Sequence, residues 1–240
     1  MNMHISGSGT IPSGEYEKIS VSGSGRLCGL VRCSGFSSSG ACGGDSLECT
    51  GDFKTSGSAS FSGSIKAENI SVSGGFSCRG DLTAVEKIAC SGSAHSGGSV
   101  KCDRLSISGT LKVPGDIEAE NVRVSGVVHC GGLLNAEDIS IEFQQGMEIG
   151  SIGGSKISIF TSKNCRAGLR LPLLSSLIKA GTVRVSSAIE GDEIGLERVI
   201  CPRVTGRIVA IGEGCEIALV QYTQEIEISP NAKVGKIEKI

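Results

Sequence analysis

Ile88-Ala89-Cys90-Ser91-Gly92, Leu105-Ser106-Ile107-Ser108-Gly109, Val122-Arg123-Val124-Ser125-Gly126 and Ile139-Ser140-Ile141 are four lines of one repeat. Each line begins 17 residues after the last. Within a line, apolar or small residues fall in pairs two apart: 88/90, 94/96, 100/102, then 105/107, 111/113, 117/119, then 122/124, 128/130, 134/136. Residues two apart share a face of a strand. Each pair therefore aims two side chains inward and one, such as Ser106, Lys112, Glu118 or His129, outward. Three short strands per line make a three-sided turn. Ser-Gly, Pro-Gly and Gly-Gly (Ser108-Gly109, Pro114-Gly115, Gly131-Gly132) mark its corners. Spacing two gives no 3.6-residue stripe, so a helix is excluded. Self-similarity at a fixed short period means stacked coils, each too thin to bury its own inner face.

The same beat runs outward in both directions. Upstream it reaches Ile19/Val21, Val31/Cys33, Leu47/Cys49, Phe53/Thr55, Ala59/Phe61, Ile65/Ala67, Ile70/Val72, Phe76/Cys78 and Leu82/Ala84, blurring between Phe36 and Gly44. Downstream it is noisier: Ile157/Ile159, Val183/Val185, Ile194/Leu196, Val199/Cys201, Ile208/Ala210, Cys215/Ile217, Ile226/Ile228, Val234. Residues 165–180 read as strand with a bulged corner, a short helix from Pro172 to Lys179 being the alternative. The expectation is an all-β, single-domain, three-sided parallel β-helix over 16–240. Its coils are Ser/Gly/Cys-rich over 16–141 and more charged over 142–240. Residues 1–15, with Ile5 and Ile11 as isolated apolar positions, are an irregular tail or cap, an irregular first coil being the alternative.

Composition fits a narrow core. Gly accounts for 36 of 240 residues, about twice the usual share, as frequent corners require. There is no Trp, and a thin lumen leaves little room for large rings. Net charge is −2 without a basic stripe, which argues against nucleic acid. No stretch approaches 18 apolar residues, and the opening Met1-Asn2-Met3-His4 has no secretory pattern. The expected location is cytoplasmic. Of 11 cysteines, Cys33, Cys49, Cys78, Cys90, Cys102 and Cys130 fall on the second inward place of a pair, and no Cys-x-x-Cys occurs. They read as small buried hydrophobes rather than disulfides or ligands.

Chemistry-bearing constellations do not form. His95 and His129 face outward two coils apart, about 10 Å, too far to share a zinc ion. Gly7-Ser8-Gly9 and Gly23-Ser24-Gly25 lack the Lys-Ser/Thr and βαβ context of a phosphate loop and read as corners. The expectation is no catalytic set, no cofactor and no metal. What remains are the two tips of the stack, where unpaired backbone groups template another chain. At the C-terminal tip Ile226, Ile228, Val234, Ile237 and Ile240 are the candidate self-assembly residues.

The runs Gly115-Asp116-Ile117-Glu118-Ala119-Glu120-Asn121-Val122-Arg123-Val124-Ser125-Gly126 and Ile65-Lys66-Ala67-Glu68-Asn69-Ile70-Ser71-Val72-Ser73-Gly74 resemble the repeat of the bactofilins. The resemblance is clear over about 60–145. It implies a right-handed winding and nucleotide-independent filaments. It further implies a scaffold role in bacterial cell shape, envelope or motility. The implied partners are the chain itself, a paralogous bactofilin or an envelope protein. The implied place is the cytoplasm, with peripheral attachment to the inner face of the membrane left open. The chain departs from that family in being coil almost throughout, and in having no Phe after Phe160. Two alternatives stand beside it: a left-handed hexapeptide-repeat enzyme of acyltransferase or γ-carbonic-anhydrase type, and a secreted adhesin-like β-helix.

Overall fold

The computed structural model describes residues 1–161 and 181–240. Among them there is no helix; 26 strands form one continuous sheet that winds around itself. Neighbouring rungs pair in parallel, as a coil stacked on a copy of itself must. One inward column can be followed from end to end: Met3, Ile19, Phe36, Phe53, Ile70, Ile88, Leu105, Val122, Ile139, Ile157, Ile194, Val209, Ile226. Each is the register partner of the next, most often 17 residues on. The protein is an all-β, three-sided parallel β-solenoid with coils of about 17 residues.

The inward pairs form the core. Ile88, Cys90, Leu105, Ile107, Val122 and Val124 are all buried. Burying such a column strand by strand contributes about 1.5–3 kcal/mol per large aliphatic side chain. One corner is built the same way seven times over. The N–H of Ser22, Ser39, Ser56, Ser73, Ser91, Ser108 and Ser125 each donates to a strand-end carbonyl one coil below. The glycine after each serine lies so close to the backbone beneath that a Cβ on Gly74 would overlap the Gly57 carbonyl oxygen. The Ser-Gly pairs are thus demanded by coil-to-coil contact as much as by the turn.

Several expectations are corrected. Residues 1–15 are not an irregular tail or cap: Met3–Ile5 (β1) and Ser8–Ile11 (β2) form the first coil, in register with Ile19–Val21 and Ser24–Leu27. The blurred stretch keeps the beat, with Phe36/Ser38 and Cys42/Gly44 at inward places. Polar Ser38 and sideless Gly44 hide it from a hydrophobicity count. The inward pair near 208 is Val209/Ile211, one residue along from Ile208/Ala210. Large rings do fit: Phe36, Phe53, Phe61 and Phe76 pack together, Phe36 and Phe53 stacked at 5.0 Å between centroids. The inward places around them are small (Ser38, Cys42, Gly44, Thr55 and Ala59), which frees the volume. Ile157 pairs with Ile194, 37 residues on. The strand-or-helix reading of 165–180 lies outside the described residues.

Candidate assembly edge

The last coil comprises the end of strand Glu216–Ile228 and strand Lys233–Lys239. Its inward places continue the columns below: Val209 under Ile226, Ile211 under Ile228, Ile217 under Val234, Val220 under Ile237. Among the described residues none stacks on this coil: Ile226, Ile228 and Val234 are half-buried and Ile237 is 49% exposed, whereas Val209 and Val220 beneath them are fully buried. Of the five candidates, four occupy inward places. Ile240 lies past the strand, 62% exposed, its N–H donating to the Tyr222 carbonyl. Among the described residues this coil therefore presents an apolar cross-section of the core at a strand edge, the kind of edge that templates pairing with another chain.

Charge frames this edge without crossing it. Lys233 pairs with Glu216 one coil below at 2.7 Å; the ammonium holds that carboxyl below its usual range, and the carboxylate raises the lysine. Lys236 and Gln221 likewise lower Glu238. The Lys239 ammonium lies 5.9 Å over the ring of Tyr222.

The opposite edge is better closed. Ile5 and Ile11 are buried even in the first coil, and half-buried Tyr16 donates its hydroxyl to the Pro12 carbonyl at 3.0 Å. Tyr16 and Tyr222, the two tyrosines of the chain, share one inward column near its opposite ends: Tyr16 pairs with Cys33 and Cys33 with Cys49, while Gly191 pairs with Gly206 and Gly206 with Tyr222. Neither tyrosine was singled out from the sequence. Aligning coils on this column would have shown two bulky residues in a series of Cys, Ala and Gly.

The other residues weighed from sequence stay apart. His95 and His129 flank Lys112 on one outward column, two coils apart. Among the described residues no three His, Cys, Asp or Glu groups converge as metal ligands. The described cysteines are all free thiols, and all but Cys28 are buried. Burial pushes Cys42 and Cys130 up to about 11 and Cys102 to about 12. Cys33 and Cys49 are register partners; the hydrogen bond between their thiols raises Cys33 and lowers Cys49 to about 7.

Two curated Bacillus subtilis (strain 168) proteins are similar to part of this chain. Over 110 residues, 45% of the chain, it is 28% identical to the uncharacterized protein YhbF and 32% identical to the uncharacterized protein YhbE. The match covers 42% and 44% of those relatives, less than half of either. No family model and no solved structure matches the chain. Among the described residues no helix is long and apolar enough to cross a membrane.

Proposed function

We propose that this is a non-enzymatic structural protein whose solenoids join end to end into nucleotide-independent filaments. The observation that supports this is the last coil: a core cross-section with Ile237 half in water, on a scaffold whose coils already stack on near-copies of themselves. Adding a rung there pairs the free strand edge and covers the apolar places. Repetition of one non-closing contact gives a fibre rather than a ring. The bactofilin resemblance points the same way, to a cytoplasmic scaffold serving cell shape, envelope or motility.

The test is electron microscopy and light scattering on the purified chain, beside an Ile228→Asp/Ile237→Asp variant. Filaments are expected from the parent. The variant is expected to stay unassembled while melting within a few degrees of it, since both changes lie on the last coil. A parent that stays monomeric at high concentration, or a variant that assembles equally well, removes the reading.

A further inference from the structure

Among the described residues Cys33 and Cys49 are the one pair of cysteines in register on neighbouring rungs. Such rungs lie about 4.8 Å apart, inside the Cα separation of about 4.4–6.8 Å that a disulfide spans. The two thiols already share a hydrogen bond. Backbone donors converge on them. The N–H groups of Gly51 and Phe36 donate to the Cys49 sulfur, and that of Gly35 to the Cys33 sulfur. The Cys49 thiol in turn donates to the Asp52 carbonyl at 3.4 Å. Gly35, Phe36 and Gly51 also line a groove of about 600 Å³ on the surface, with Lys18 and Lys54 beside them. A Cβ on Gly35 would meet only Lys18 Cγ, at 4.0 Å, so the cover over the pair is thin there. Other buried cysteines have no such neighbour: Cys42 lies between Gly25 and Ala59, and Cys130 between Val113 and Ile149.

We propose that Cys33 and Cys49 are an oxidation site: a hydroperoxide reaching them from the groove closes them to a disulfide that ties two adjacent coils, and a dithiol reopens it. This stands apart from the end-to-end assembly proposed above. Cys49 is the attacking sulfur. The Cys33 thiol and two backbone N–H groups donate to it and hold it at about 7, so much of it is thiolate at neutral pH. The thiolate attacks one peroxide oxygen and the O–O bond breaks. The departing hydroxide takes up the proton that Cys49 released and leaves as water. Cys49 is then a sulfenic acid, oxidised by two electrons. The Cys33 sulfur attacks it, the S–O bond breaks and the S–S bond forms. The hydroxide leaves as water with the Cys33 proton. Two thiols and one hydrogen peroxide thus give one disulfide and two waters.

The test uses hydrogen peroxide on the folded chain at neutral pH, in a Cys28→Ser/Cys165→Ser background. Trypsin and a glutamate-specific protease cut after Arg32, Glu48 and Lys54 and so separate the two cysteines. Peptide 33–48 is expected joined to 49–54, in a chain lighter by two hydrogens, with reversal by dithiothreitol. Cys42→Ser is expected to keep the link. Cys33→Ser, which leaves a hydroxyl donor beside Cys49, is expected to lose it and to leave a sulfenic acid on Cys49 that dimedone traps. Cys49 is expected to react at least about tenfold faster than Cys102 or Cys130. The linked chain is expected to unfold at a higher denaturant concentration than the reduced one, and an unchanged midpoint overturns the tie between coils. No joined peptide from folded chain in excess peroxide, a link that survives Cys33→Ser, or equal rates for Cys49 and Cys102 overturns the site.

Discussion

A glycine at the Ser-Gly corner and its neighbour make a controlled pair. A Cβ on Gly74 would overlap backbone atoms of Ser56 and Gly57, whereas one on Gly75 would meet nothing within 4 Å. Backbone cannot swing aside as a side chain can, so the coil must separate or tilt. Gly74→Ala is expected to cost on the order of 3 kcal/mol, and Gly75→Ala to stay within about 0.5 kcal/mol, read as shifts of the denaturant midpoint. Equal shifts would show that the corner is not held by coil-to-coil contact. The thiols make a second residue-scale prediction, about pH. Burial raises Cys42, Cys102 and Cys130 in the fold to about 11 or 12, against 9.0 for the free group. The unfolded chain therefore releases these protons first. Their stabilisation is whole below about pH 9 and is lost as pH climbs toward the folded values. Cys49, lowered to about 7, acts oppositely between about 7 and 9. The melting temperature under reducing conditions is expected to fall between pH 9 and 11, and less steeply in a Cys102→Val/Cys130→Val variant. Equal slopes for the two proteins would assign the alkaline loss to other groups.

At the scale of the strand, legibility followed how loudly each inward place speaks. Ile, Val and Leu at spacing two fixed the rungs from Ile88 to Ile141 without ambiguity, because a slip by one residue would turn every side chain to the other face. Where the inward residues are Ser38, Thr55 and Gly44, the same geometry is present but carries no hydrophobic contrast. The hydroxyls of Ser38 and Thr55 are buried without a hydrogen-bond partner, a choice no pattern rule anticipates. At Ile208-Val209-Ala210-Ile211 the contrast fails the other way: four apolar residues in a row fit either parity. Only pairing of Val209 with Ile194 and Ile226 decides it. The first coil stayed undecided between tail and irregular coil for a related reason, since Met3, Ile5 and Ile11 are too sparse to beat alone and become strands by pairing with the second coil. The inward placement of Ile226, Ile228, Val234 and Ile237 was legible because they end columns already counted. The tyrosines were not, because their meaning lies in which column they share.

For the whole molecule the question is which force joins one copy to the next. A solenoid's stability is close to a sum of coil and nearest-neighbour terms, so a junction between copies resembles a junction between coils. Those within the chain rest on backbone pairing and buried aliphatic columns. The ion pairs across them, Arg32 with Glu48, Lys101 with Glu118 and Arg203 with Glu190, are exposed on both partners, and such pairs contribute roughly 0–1 kcal/mol each. At about 1 M salt the screening length is near 3 Å, so any assembly carried by such surface charges would come apart. Assembly carried by Ile226, Ile228, Val234 and Ile237 would not, and sulfate, which strengthens apolar burial, would promote it. The pelleted fraction in sedimentation is therefore expected to hold steady or rise between about 0.1 and 1 M NaCl, and to rise further in sulfate. Filaments that dissolve in NaCl would place the junction on charged side chains and take the apolar edge out of the assembly.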